Sequence, residues 1–88
     1  MNTTILETIH ALFNAEENKG RDFTFNEIFD YVKSILNEGW QKNNTLFLSK
    51  DKVVEKKSGE TYKLLTVDGG FVRHEDGTWS KRKINEAL

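Results

Sequence analysis

This 88-residue sequence has no cysteine, so a disulfide framework and thiolate metal sites are excluded and a reducing, cytoplasmic setting is expected. Histidine is nearly as scarce: His10 and His74 fall on different predicted elements without His-x-x-x-His spacing, so no metal and no cofactor are expected. No apolar run approaches the roughly 18 residues that cross a bilayer. The first residues also lack the basic start and apolar stretch of a signal peptide, so neither export nor a membrane partner is expected. A strong charge of one sign is missing too, with 13 Lys and Arg against 14 Asp and Glu, well short of the basicity of a strong DNA binder. Arginine is the rarer cation, three against ten lysines, so bidentate clamps on phosphate or guanine are few. A chain this short has room for one core and no deep cleft, and no small-molecule substrate is expected.

The most informative stretch runs from Thr61 to Arg82. It reads as the end of one element, the glycine turn Asp68-Gly69-Gly70, and a two-stranded hairpin closing on a tryptophan. Gly77 in Glu75-Asp76-Gly77 supplies the positive φ that starts the second strand without a Cβ penalty. That pairing sets His74 opposite Thr78 and Arg73 near Trp79. Side chains alternate along a strand, so Phe71 and Trp79 share the inward face and Val72 takes the other.

Two helices precede the hairpin. Ile5, Leu6, Ile9, Leu12 and Phe13 recur at helical spacing, which predicts a helix from Ile5 to about Ala15 with Thr4 and Glu7 as a capping box. The polar stretch Glu16 to Asp22 breaks the pattern, and Gly20 suits a left-handed or loop position. A second capping box, Thr24 with Glu27, and a Phe23/Ile28 staple open the second helix. Phe25, Ile28, Phe29, Val32, Ile35 and Leu36 form its buried stripe, and Gly39 is its natural stop. Trp40 then lies just past a helix end as an exposed anchor for a partner protein. Residues 40 to 49 turn from polar to apolar at Leu46-Phe47-Leu48 and specify no element.

From about Asp51 to Thr66 a third helix gathers Val53, Val54, Thr61, Leu64 and Leu65 on one side and Lys52, Lys56 and Lys63 on the other. Lys57 intrudes on the apolar arc, and Ser58-Gly59 offers a turn, so a Val53-to-Val67 hairpin competes with the helix. The last residues, Ile84 to Leu88, are expected to fray.

Little here supports catalysis. Ser34, Ser49, Ser58 and Ser80 have no nucleophile context, His10 reads as a core-boundary residue and His74 as a surface residue. Asp68-Gly69-Gly70 lacks the pattern of a phosphate loop and leads into a strand. Binding has a better case. Lys52, Lys56 and Lys63 would face a partner or a nucleic-acid groove, with Arg73, Lys81, Arg82 and Lys83 on the wing. The lysine stripe has no arginine, asparagine or glutamine to read bases, so nucleic-acid contact is expected to be weak and salt-sensitive. Phe71 and Trp79 could stack on unpaired bases, but so short a chain needs them in its core.

Four segments, Ile5-Leu-Glu-Thr-Ile-His-Ala-Leu-Phe13, Phe23-Thr-Phe-Asn-Glu-Ile-Phe29, Tyr62-Lys-Leu-Leu-Thr-Val-Asp-Gly-Gly-Phe71 and Asp76-Gly-Thr-Trp-Ser-Lys-Arg82, resemble in order the N-terminal domain of the delta subunit of bacterial RNA polymerase. The sharpest match is Tyr62, Leu65, Val67, Asp68, Gly69, Phe71 and Trp79, and of these Tyr62, Leu65, Asp68, Gly69, Phe71 and Trp79 are expected to build the wing and core. The resemblance implies a winged-helix variant, the HARE-HTH domain, that docks on polymerase core as an accessory subunit, with an acidic tail that competes with nucleic acid. Departures are a longer connection before Tyr62, no proline before Phe23, Gly70 where arginine is frequent, and no acidic tail within these residues. The expectation is an α+β winged helix-turn-helix, three helices and a C-terminal hairpin wing, as one domain over residues 1–88. Its role is that of a non-catalytic binding module whose partner is RNA polymerase core. The alternative is a DNA-binding regulator using the lysine stripe and wing.

Overall fold

Thr4 and Thr24 start the first two helices as the sequence predicts. In each, the hydroxyl accepts from the backbone N–H three residues on, and that residue's glutamate accepts from the threonine N–H in return. The computed structural model describes residues 4–82. Chain order is α1 (Ile5–Asn14), a 3₁₀ turn (Glu16–Asn18), β1 (Phe23–Thr24), α2 (Phe25–Lys42), α3 (Lys50–Val67), β2 (Phe71–Arg73) and β3 (Thr78–Lys81). The fold is α+β, three helices and a small antiparallel sheet at the C-terminal end, a winged-helix-like layout. Lys83 and the expected fraying of Ile84 to Leu88 lie outside the described residues.

The third segment is helix, not hairpin. Ser49 caps it by accepting from Lys52 N–H, and Val53, Thr61 and Leu65 are buried along one side. Of the two features that argued against a helix, Ser58-Gly59 lies within the unbroken α3, and Lys57 is absorbed by the packing. Lys57 lays its ammonium 5.9 Å from the centre of the Trp40 ring and 3.3 Å from Glu60, so its stem covers apolar surface while its charge stays wet. Thr61, fully buried, donates its hydroxyl to Lys57 O at 2.7 Å and leaves nothing unpaired.

Gly39 does not stop α2, which continues to Lys42 and ends at Asn43. Trp40 follows Phe29 by eleven residues, three turns, so both lie on one face and their rings stack with centroids 6.2 Å apart. That contact outweighs the roughly 1 kcal/mol a glycine costs a helix. Trp40 is therefore half-buried against the core instead of projecting past a helix end.

The wing has the expected register, with Arg73 opposite Trp79 and His74 N–H donating to Thr78 O at 2.8 Å. Gly77 sits at φ +87° and closes the three-residue loop. The sheet, however, has three strands in the order β1-β3-β2, because Phe23 and Thr24 pair with Trp79 and Thr78. A strand of two residues is too short to leave a periodic signal. Phe13 ties the layers together, its ring edge-on to Phe23 at 5.3 Å and tilted against Phe71 at 5.4 Å. Ile9, Ile28, Val32 and Leu65 are sealed beneath.

Trp79→Ala is expected to cost about 3–5 kcal/mol, a large part of the stability of a domain this size, and to remove most of the cooperative urea transition. Gly59 tests the opposite sign: a methyl group there meets nothing within 4 Å. Gly59→Ala is expected to stabilise the protein by about 1 kcal/mol in denaturant titrations, and a loss of stability would contradict an exposed helical position.

Candidate interaction surface

The predicted binding residues separate into two groups. Lys52, Lys56 and Lys63 are exposed along α3, but that face is not a cationic stripe. Lys52 lies 3.6 Å from Glu55, and Asp51, Glu55 and Glu60 are exposed beside the lysines. Apolar side chains share α3 with them, Tyr62 at 43% and Val67 at 67% exposure. Tyr62, expected in the core, sits at its rim, edge-on to Trp79 at 6.0 Å and to Phe25 at 5.5 Å. Leu65, Phe71 and Trp79 are buried as expected.

Asp68 and Gly69 form the hinge between α3 and the wing. Asp68 caps α3, and its carboxylate lies 3.9 Å from Nε2 of His10, whose ring packs against Phe71 with centroids 4.9 Å apart. Gly69, at φ +74°, offers its carbonyl to Nε of Arg82 at 2.7 Å. A Cβ at Gly70 would lie 2.7 Å from the Asp68 carboxylate, so a side chain there requires Asp68 to turn away from His10.

Lys81 and Arg82 leave the α3 side altogether. With Lys19, Arg21 and His74 they line an open cleft of about 790 Å³ between the 3₁₀-turn loop and the sheet. A cleft was not expected, because Lys19 and Arg21 are some sixty residues from Lys81 and Arg82 in sequence and only the sheet brings them together. Arg73 is exposed on β2 and stays outside it. The same region brings His74 Nε2 within 2.8 Å of Ser80 Oγ and 3.7 Å of Asp22. Ser80 thus has a histidine neighbour that spacing did not reveal. Serine and carboxylate approach the same ring nitrogen, however, so the carboxylate does not orient the ring from its far side as a nucleophilic triad requires.

The segment between α2 and α3 holds what sequence reasoning missed. Phe47 is 92% exposed and adopts φ +54°, a conformation that costs a bulky residue about 1–2 kcal/mol; Leu46 beside it is 69% exposed. The Asn44 side chain brackets the loop, donating to Leu48 O at 2.6 Å and accepting from Leu48 N–H at 3.1 Å. The apolar run Leu46-Phe47-Leu48 in polar company was the signal available.

Among the described residues no group of His, Cys, Asp and Glu could hold a metal, and no helix is long and apolar enough to cross a membrane. Comparison with protein-family models, with curated proteins and with solved structures finds no match.

The wing loop carries its own pH dependence. Asp76 accepts from the Thr78 hydroxyl at 2.6 Å and the Thr78 N–H at 3.0 Å, and these bonds, the hydroxyl's foremost, hold its carboxyl below the ordinary value. Because the folded value is depressed, the contribution is fully present above the ordinary aspartate range and is lost as pH falls through the lowered value. The Thr78 amide resonance should titrate with a midpoint below that of an unperturbed aspartate, and Asp76→Asn should abolish the transition.

Proposed function

We propose that this chain is a non-catalytic docking module of transcription, an accessory subunit of bacterial RNA polymerase of the delta type or its N-terminal domain. The observation that carries the reading is the mixed character of the α3 face. A groove-reading helix presents unpaired cations, whereas here Lys52 has a carboxylate neighbour, three acids stand among the lysines, and Tyr62 and Val67 are exposed. Apolar and aromatic side chains rimmed by balanced charge suit a protein surface. The polymerase assignment is supported by the ordered resemblance of Tyr62, Leu65, Asp68, Gly69, Phe71 and Trp79, and the winged-helix-like layout is compatible with it. Docking would use α3 and the wing, with Lys52, Lys56, Lys63 and Arg73 at its rim.

The test is retention of tagged full-length protein by RNA polymerase core after nuclease treatment. Val67→Asp is expected to weaken retention about tenfold without loss of fold, and reversing Lys52, Lys56 and Lys63 together should weaken it less. Binding to duplex DNA with a steep salt slope, abolished by the triple reversal, with no retention by polymerase, would replace this reading by that of a DNA-binding regulator.

A further inference from the structure

Among the described residues, four of the seven helical lysines stand beside a carboxylate of their own helix. Lys33, Lys42, Lys52 and Lys57 each lie within 3.9 Å of a carboxylate three or four residues away on the same helix. The cleft beside the sheet breaks that habit. Among the described residues, Arg21, Lys81 and Arg82 have no carboxylate within ion-pair distance, yet each is held by a neutral acceptor. Arg21 donates to Asn18 Oδ1 at 3.3 Å and lies over the Phe23 ring at 5.0 Å. Lys81 donates to Asn14 Oδ1 at 2.6 Å, and Arg82 donates from Nε to Gly69 O at 2.7 Å. Asn18 is itself anchored, its amide donating to Leu12 O at 2.9 Å. Such tethers position a cation without cancelling its charge, and they leave most guanidinium and ammonium donors unspent.

Lys19 completes the set, although it also lies 3.6 Å from the exposed Glu16. Against these four cations the lining has one carboxylate, Asp22, an excess of three positive charges on a chain of net charge −1. The C-terminal end of α1 draws cations in its own right, which accounts for Lys81 on Asn14 but not for four. The volume, about 790 Å³, lies within the roughly 300–1,000 Å³ of small-ligand clefts. Phe13 and Val72 add apolar surface to the lining.

We propose that this cleft binds a compact oligophosphate anion, of the class of pyrophosphate or a nucleoside triphosphate, through Lys19, Arg21, Lys81 and Arg82, with His74 and Ser80 as further hydrogen-bonding groups. Charge selects the class. Two guanidiniums and two ammoniums favour clustered phosphate oxygens over a single carboxylate, and an anion of three or more charges matches the excess. The site shares the wing with the proposed docking surface, but no residue of α3 and none of Lys52, Lys56, Lys63 and Arg73 lines it, so the anion titration and the polymerase retention test read different residues.

Amide spectra of the full chain, titrated with inorganic pyrophosphate and then with ATP, test the proposal. Saturable shifts are expected at Gly20, Asp22, Val72 and Ser80, with Lys52 and Lys56 unmoved. The Arg21→Ala, Arg82→Ala pair is expected to weaken binding about tenfold or more, as loss of two charge-assisted contacts implies. Asp22→Asn removes the one opposing carboxylate and should tighten binding about threefold, a gain that damage to the fold cannot imitate. Shifts spread over α3, or unchanged affinity in either variant, would overturn the site. A single-stranded oligonucleotide that moves these amides while pyrophosphate does not would assign the phosphates to a strand and overturn the compact-anion proposal.

Discussion

The pairing of β3 on both of its edges is the constraint on which the rest of this structure depends. Trp79 sits on the middle strand of the sheet, opposite Phe23 on one side and Arg73 on the other, and is 97% buried, with only 3% of its surface exposed. Because Phe23 also precedes the Thr24 cap of α2, the strand that holds the tryptophan holds the start of the second helix as well. Phe13 reaches both Phe23 and Phe71, so α1, the head of α2 and the wing meet in one aromatic cluster. An 88-residue chain has little else to bury, and the wing is accordingly part of its core.

Once the wing is fixed, the surface divides by how its charges are partnered. Lys52 and Lys57 find carboxylates one turn away, and Asp51, Glu55 and Glu60 stand among the α3 lysines, so Tyr62 and Val67 are the distinctive features of that face. In the cleft Lys19 alone has such a neighbour, Glu16, and among the described residues Arg21, Lys81 and Arg82 have none. They are held by asparagine side chains and backbone carbonyls, and their charge survives.

Much of the architecture was legible because it rests on local chemistry. Both capping boxes, the apolar face of α1 and the Gly77 turn follow from spacings of a few residues, whereas spacing left the third segment between helix and hairpin. The failures share a different cause. Gly39 reads as a stop until Phe29 and Trp40 are seen to stack, Phe23 reads only as a staple until Trp79 pairs with it, and Tyr62 reads as core until α3 is placed at the rim. Phe47 was hardest to read, since an exposed aromatic at positive φ runs against both burial and backbone preference.

By itself the sequence determined the starts of the first two helices, the register of the wing and the identity of the residues that seal it, because caps, turns and periodicity act over short separations where chain order equals proximity. Tertiary structure alone decided that Phe23 would complete the sheet, that Trp40 would be half-buried against the core, and that Lys19 and Arg21 would face Lys81 and Arg82 across one cleft. Those pairings join residues up to some sixty positions apart, and no local preference encodes a contact that forms only when a common core is closed between them.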